Sequence, residues 1–469
     1  MAEAASMNGA EWLARALAGT GMSHVFFVES VMRRTLLQLS DLGVKPVLAH
    51  SEKAAAYMAD GYARVGQRPG VCMAQSVGAA NLASGLQDAW LGRSPVIALT
   101  GHKEPSFQHR NSYQEIPHAP LFSAVTKFST PVLSTSELPR LLRHAWRAAL
   151  ADTVRPTHLD FNGLQADVIE LGQTAEPPML ETEARPIPVH RPVADDRDIE
   201  RIAGLLKGAR RIVIVAGDGA AVSQAGPEVL ALAEALGAPV ATTLGARGII
   251  PTRHRLSAGV AGSYSAPPAN RIVHSADLVL FIGCDTGDQV TLNWTVPACD
   301  TQIVQIEADP LEIGRSYPNT TGIVGDPKAT VARLVEIIGR PARDPGFADE
   351  AARIVADWRD SMTALVEKNT APIAVERLCA EVTRALPQDG ILVADTGYSG
   401  IWTGTMIELN GAGQTYLRAA GSLGWSFPAS LGAKCAAGDR KVVCFTGDAG
   451  STTTSPSWNR HAAPASPSR

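Results

Sequence analysis

Short apolar runs alternate with helix-period segments three times over along this chain, and that alternation constrains its fold more than any other feature. Trp12, Leu13, Ala16 and Leu17 stand at helical spacing within residues 8–20, and Gly21 ends the helix they predict. His24 to Val28 reads as a buried strand, a helix with Arg33 and Arg34 follows, and Val44 to Ala49 reads as the next strand. Val71–Ala74 and Pro95–Thr100 extend the series, with Gln75 to Leu82 opening a helix between them. A second series has strands at Arg211–Ala216, Pro239–Thr243, Leu278–Ile282 and Thr301–Ile306. A third has Ile391–Ala394, Tyr416–Ala419 and Lys441–Thr446. Strands that alternate with helices predict an α/β fold of three doubly wound, mostly parallel sheets, the third incomplete.

The breaks between the series place the domains. Residues 1–171 form the first, and 172–197, with Pro177, Pro178, Pro186, Pro188 and Pro192 among charged residues, read as a linker. Residues 198–339 form the central domain, 340–370 a second linker with a helix containing Trp358, and 371–450 the third domain. From Ser451 to Arg469 the sequence turns to Ser, Thr, Pro and Ala without period, which predicts a disordered tail.

A net charge of −4 gives no electrostatic case for nucleic acid or an anionic membrane. No apolar run is long enough to span a bilayer, and the N-terminus lacks a basic-then-apolar signal, so a cytoplasmic protein is expected. Cys72, Cys284, Cys299, Cys379, Cys435 and Cys444 have no metal-ligand spacing and read as buried small hydrophobes in a reducing compartment.

Several strand exits carry candidate chemistry. Glu52 follows the strand Val44–Ala49 and opens a helix of small residues. A carboxylate there either complements the helix N-terminus or stands where open α/β sheets place ligands, and the corner alone leaves both readings open. Gly447-Asp448-Ala449-Gly450 follows an apolar strand. It is either an ordinary exit or a turn at which glycines admit a phosphate and Asp448 holds a magnesium ion. Gly217-Asp218-Gly219 and Gly283-Cys284-Asp285 are similar exits without the full dinucleotide fingerprint. After Pro95–Thr100, a polar loop gathers His102, Lys103, Glu104, His109, Tyr113, Gln114, Glu115 and His118, a cluster suited to meeting a substrate but matching no metal motif. The chain has no Gly-x-Ser-x-Gly elbow.

Taken in order, these segments resemble the thiamine-diphosphate-dependent enzymes of the acetolactate synthase-like group, over nearly everything up to about residue 450. His50 to Arg64 looks like the family's glutamate segment, Gln75-Ser76-Val77-Gly78-Ala79-Ala80-Asn81-Leu82 is similar to its Ser-Gly-Pro-Gly-type turn, and Tyr113-Gln114-Glu115 resembles its Phe-Gln-Glu segment. The resemblance implies a pyrimidine-binding domain, a central nucleotide-type domain and a diphosphate-binding domain, in that order. It implies that Glu52 is catalytic, bonding N1′ of the aminopyrimidine and so promoting loss of the thiazolium C2 proton ahead of attack on a 2-oxo acid. Gln75, Gly78, Asn81 and Gln114 would line the pyrimidine side. Ser422 and Leu423 would support the bent cofactor, although Leu423 also reads as a core leucine. Gly397, Tyr398 and Ser399 would approach the diphosphate together with Gly447, Asp448, Ala449 and Gly450, with Asp448 as metal ligand. The implied cofactors are thiamine diphosphate and Mg2+. FAD in the central domain is permitted by Gly217-Asp218-Gly219 and Arg247 without being required. The implied assembly is a homodimer or homotetramer with a small 2-oxo acid as substrate and neither nucleic acid nor membrane as partner.

Three departures qualify the expectation. Val28-Glu29-Ser30 stands where the family has Gly-Val-Pro-Gly, and no His-His pair follows Gly101, which favours carboligation over simple decarboxylation. The asparagine that completes the family's magnesium site has no counterpart at the expected spacing, since Asn459 comes too early and in the abnormal tail. The third domain is therefore expected to be truncated, through a frameshift at about Ser451. Two alternatives stand beside acetolactate synthase-like carboligation: another thiamine-diphosphate lyase or decarboxylase, and a cofactor-deficient, non-catalytic protein.

Overall fold

The structure is a computed structural model in which residues 6–178, 187–339 and 344–453 are described. It divides into two compact units, one of residues up to Ile187 together with those from Ala419, the other Pro188–Arg418.

The first unit is built on six parallel strands, in spatial order Lys45–Leu48, His24–Phe27, Gly70–Gln75, Val96–His102, Thr157–Asn162 and Phe128–Val132. Alternate residues of these strands enter different cores, as a two-residue repeat requires. Val25, Val71, Met73, Ile97 and Leu99 join Trp12, Leu13 and Leu17 in one core. Phe26, Cys72, Ala74, Val96 and Ala98 join the small residues of the helix Glu52–Gly66 in another. Helices thus cover both faces, which explains why the strands read as continuous apolar runs. The outer strands Phe128–Val132 and Thr157–Asn162 escaped the sequence because Ser129, Thr130, His158, Asp160 and Asn162 interrupt their apolar pattern.

The second unit repeats the plan. Its six parallel strands run in the order Ser257–Val260, Val240–Thr242, Ile212–Ala216, Leu278–Ile282, Gln302–Glu307 and Thr320–Val324. Ile212, Ile214, Leu278 and Leu280 face one core, Val213, Val215, Val279 and Phe281 the other. Ile391–Ala394 and Thr415–Arg418 pair in parallel in the same unit. The doubly wound α/β expectation holds for both six-stranded sheets.

Local readings are corrected in four places. The segment 172–197 is not all linker, because Gln173–Thr174 pairs antiparallel with Met7–Asn8 and a helix starts at Asp196. The stretch 371–450 is shared between the two units, its part from Ala419 packing with the first. The physical reason is the helix Ser426–Ala437, whose Gly432 and Ala429 lie against Met58 and Gly61 of the helix Glu52–Gly66. Residues 451–453 are not disordered but end the helix Asp448–Thr453, and the rest of the expected disordered tail, with Asn459, lies outside the described residues. Cys299 is exposed and Cys435 and Cys444 half-buried, whereas Cys72, Cys284 and Cys379 are buried as expected.

Candidate active site

Glu52 occupies the first turn of the helix Glu52–Gly66, directly after the strand Lys45–Leu48 and its exit. The capping duty belongs to its neighbour, since the Ser51 hydroxyl accepts the Ala54 N–H at 3.2 Å. The Glu52 carboxylate is left to reach the next helix, Gly78–Leu91, where Asn81 Nδ2 donates to its Oε2 at 2.7 Å. Gly78 lies under the same carboxylate: a Cβ there would stand 2.6 Å from Glu52 Oε1. The structure therefore brings Glu52, Gly78 and Asn81 together at the carboxyl ends of the parallel strands.

Gln75 and Gln114 join this rim. Gln75 Nε2 donates to Gln114 Oε1 at 3.1 Å, and the Ser76 hydroxyl donates to the Gln114 carbonyl. Gln114 has φ +62, a backbone setting uncommon for a residue with a side chain, held by these two bonds. Beneath the turn lies a network the sequence did not reveal. His118 Nε2 faces the Ser76 carbonyl at 3.0 Å and its Nδ1 faces Asp160 Oδ1 at 2.9 Å. Asp160 Oδ1 also accepts the Thr100 hydroxyl at 2.7 Å, and His102 Nδ1 stands 3.4 Å from the same oxygen. His158 stacks on Phe122 with ring centroids 3.5 Å apart and bonds Thr100 and Ser129. Burial pushes the His158 imidazole down to about 3, against the pull of Asp160. Burial would raise Asp160, but the imidazoles of His102 and His118 outweigh it and hold the carboxyl well below the usual carboxylate range. His118 is thus a buried support of the Gln75–Gly78 turn, whereas His109 and Tyr113 are exposed; the expected single histidine loop cluster is split.

The segment after Arg418 is tied into the first unit by two buried carboxylates, Asp88 and Asp60. Asp88 is buried, and its Oδ1 accepts the N–H groups of Ala420 at 2.7 Å and Gly421 at 3.2 Å. Ser422 Oγ accepts Gln87 Nε2 at 2.7 Å. Leu423 is 51% exposed, which removes the reading of it as a core leucine. Asp60, buried on the helix Glu52–Gly66, accepts Arg64 at 2.7 Å and the Trp425 indole at 3.0 Å. Burial raises the Asp60 carboxyl above its ordinary value, with Arg64 opposing.

Gly447 precedes the helix Asp448–Thr453, so the expected turn is a helix start, with Asp448 and Ala449 exposed and Gly450 buried. Among the described residues there is no group of three or more His, Cys, Asp or Glu side chains placed to hold a metal. In the second unit Gly397, at φ +66, precedes the helix Tyr398–Met406; Tyr398 is 80% exposed and Ser399 buried. Gly217 approaches the Gly283 carbonyl and Cys284 so closely that a Cβ would collide with both. That contact between strand exits accounts for both glycines as turn chemistry. No described helix is long and apolar enough to cross a membrane.

Comparison with known proteins matches three family descriptions. Residues 7–121 match the N-terminal TPP binding domain of thiamine pyrophosphate enzymes, 199–334 their central domain and 395–459 their C-terminal TPP binding domain. The "Probable acetolactate synthase large subunit" of Methanocaldococcus jannaschii is 30% identical over 458 residues, covering 95% of this chain and 76% of the relative. Its namesake from Methanococcus aeolicus is 29% identical over 476 residues, with the same two coverages. The large subunit of acetolactate synthase isozyme 1 from Escherichia coli K12 is 29% identical over 409 residues, covering 86% of this chain and 70% of the relative. The Glu52–Gly78–Asn81 constellation falls inside the matched N-terminal domain, and the chain belongs to the thiamine pyrophosphate enzyme family, among the acetolactate synthase-like members.

Proposed function

We propose that the chain catalyses thiamine-diphosphate-dependent carboligation of a 2-oxo acid, as an acetolactate synthase-like enzyme. The observation that carries this reading is the Glu52 carboxylate oriented by Asn81 over Gly78, at the strand ends of a domain of this family. The residues fit the cofactor's pyrimidine half on two counts. Gly78 lets the Glu52 side chain lie directly against the turn, where a Cβ would stand 2.6 Å from Oε1, and Asn81 holds Oε2. When bound, thiamine diphosphate supplies a nucleophilic thiazolium carbon and an electron sink for decarboxylation.

Glu52 would hold a proton at N1′ of the aminopyrimidine, with Asn81 fixing the carboxylate's orientation. His118 and Asp160 would keep the Gln75–Gly78 turn in place, and Gln75 with Gln114 would border the pyrimidine. Ser422 and the exposed Leu423 would support the cofactor on the segment anchored by Asp88. Gly397, Tyr398 and Ser399, with Gly447, Ala449 and Gly450, would border the diphosphate. Asp448 would be a protein ligand of Mg2+, an ion commonly held by one or two carboxylates with phosphate and water completing its octahedron. Close packing of two strand exits accounts for Gly217 and Gly283, so FAD in the central domain rests on the family resemblance alone. The proposal extends to a three-domain division and to a homodimer or homotetramer, both resting on the family resemblance.

Incubation with pyruvate, thiamine diphosphate and Mg2+, with chromatographic detection of products, tests the reaction. The reading expects acetolactate. Acetaldehyde without acetolactate would make the chain a decarboxylase, and no pyruvate consumption would overturn the enzymatic reading.

A further inference from the structure

Three imidazoles gather around the largely buried Asp160 carboxylate of the first unit, and they are not equivalent. His158 is engaged at both ring nitrogens, Nε2 with the Thr100 hydroxyl at 2.7 Å and Nδ1 with the Ser129 hydroxyl at 2.9 Å. His118 is engaged at both as well, by Asp160 Oδ1 and by the Ser76 carbonyl. Of the three, His102 alone keeps an open edge. Its Nδ1 is sealed from solvent and stands 3.4 Å from Asp160 Oδ1. Its Nε2 is not sealed and has no hydrogen-bond partner among the described residues, and the side chain is 13% exposed.

The backbone sets that open nitrogen on the rim of the site. His102 ends the strand Val96–His102, which pairs with Gly70–Gln75 in a register that puts Gln75 opposite Gly101. It therefore leaves the sheet beside Ser76, whose hydroxyl holds the Gln114 carbonyl. Val96 and Ala98 of the same strand face the core shared with the helix Glu52–Gly66, so the two-residue repeat turns His102 to the face that this helix covers. The carboxyl ends of neighbouring parallel strands are where such sheets bind ligands. An imidazole with one nitrogen against a carboxylate is held in one tautomer, and its protonated form is stabilised, so its other nitrogen can give and take a proton. A separation of 3.4 Å is long for a finished hydrogen bond, as catalytic contacts often are before substrate binds.

Resting on the reaction assigned to Glu52, we propose that His102 is a further catalytic residue whose Nε2 exchanges a proton with the keto oxygen of the donor 2-oxo acid, with Asp160 as its positioning partner. As the keto carbon is attacked, the C=O π pair passes to oxygen, which takes the Nε2 proton. The N–H pair stays on the ring, leaving a neutral imidazole. On product release Nε2 removes the hydroxyl proton, the O–H pair re-forms C=O, and the bond to the attacking carbon breaks. Carbethoxylation by diethyl pyrocarbonate with peptide mass mapping tests the contact without turnover. His102 should be modified in the wild-type chain, and the sealed His118 and His158 should not. On the chain loaded with thiamine diphosphate and Mg2+, adding oxamate, an unreactive 2-oxo acid mimic, should slow modification of His102 at least about tenfold. The exposed His274 should react alike in both states. In His102→Gln, pyruvate turnover should fall at least about 100-fold. Cofactor affinity and deuterium exchange at thiazolium C2 should stay at wild-type values in that variant, a split that general loosening of the site would not give. No protection by oxamate, or wild-type turnover in a folded His102→Gln variant, would overturn the proposal. So would a matching loss of cofactor affinity or C2 exchange, which would make His102 structural. The protection assay keeps the test decisive if the variant does not fold. Absence of pyruvate consumption by the wild-type chain would instead overturn the reaction assigned to Glu52, and this role with it.

Discussion

At the scale of single residues, the site depends on where one carboxylate can point. Ser51 takes the capping role, so Glu52 is free to cross to the next helix, where Asn81 orients one oxygen and Gly78 leaves room for the other. A methyl group at position 78 removes that room, since its carbon would sit 2.6 Å from Oε1. Gly78→Ala should therefore weaken thiamine diphosphate binding at least about tenfold, read by calorimetry, with the far-ultraviolet circular dichroism unchanged. Equal affinity would show that displacing the Glu52 carboxylate does not affect cofactor binding. Glu52 and Asn81 were legible in the sequence because each lies in a compact local motif. Asp88 was not: its bond to the Ala420 N–H spans 332 positions, and nothing local marks an aspartate inside a helix as the anchor of a distant turn.

Among elements, the contact that organises the first unit is between the helices Glu52–Gly66 and Ser426–Ala437. Gly61 faces the Ala429 carbonyl and Gly432 faces the Met58 carbonyl, each so closely that a Cβ would collide with backbone. Backbone cannot yield as a flexible side chain does, so Gly432→Leu should destabilise the chain by about 3 kcal/mol or more, read by urea denaturation. A loss under about 0.5 kcal/mol would mean that the helices do not approach in this way. The small-residue character of Ala54 to Ala63 was plain in the sequence, but its partner was not, because a helix of small residues is compatible with any close neighbour. The strands Val71–Ala74 and Leu278–Ile282 were legible for the opposite reason. Both faces of each are buried, which leaves a continuous apolar run, whereas Phe128–Val132 carries polar residues and reads as loop.

For the whole molecule, stability should depend on acidity through the buried histidine network. Burial holds His158 at about 3 when folded, against about 6.5 for an unfolded imidazole. The unfolded chain therefore binds the extra proton between those values, and stability is lost as pH falls from about 6.5 towards 3. Asp160, held below the usual range, adds a loss that sets in only under about pH 4. His158→Gln removes the first contribution, and its unfolding free energy should fall less steeply between pH 6.5 and 4, by up to about 1.4 kcal/mol per pH unit. Parallel curves for the two proteins would place the acid sensitivity elsewhere. The order of α/β series was legible along the whole chain, but the grouping of residues from Ala419 with the first unit was not, since composition does not record which sheet a late helix joins. Glu52 is proposed to move the proton that activates the cofactor, and exchange of the thiazolium C2 proton for deuterium, followed by quenched-flow NMR on the chain loaded with thiamine diphosphate and Mg2+, reads that step. Exchange should be at least about 100-fold slower in Glu52→Gln with the cofactor still bound. Exchange at the wild-type rate in that variant would contradict it.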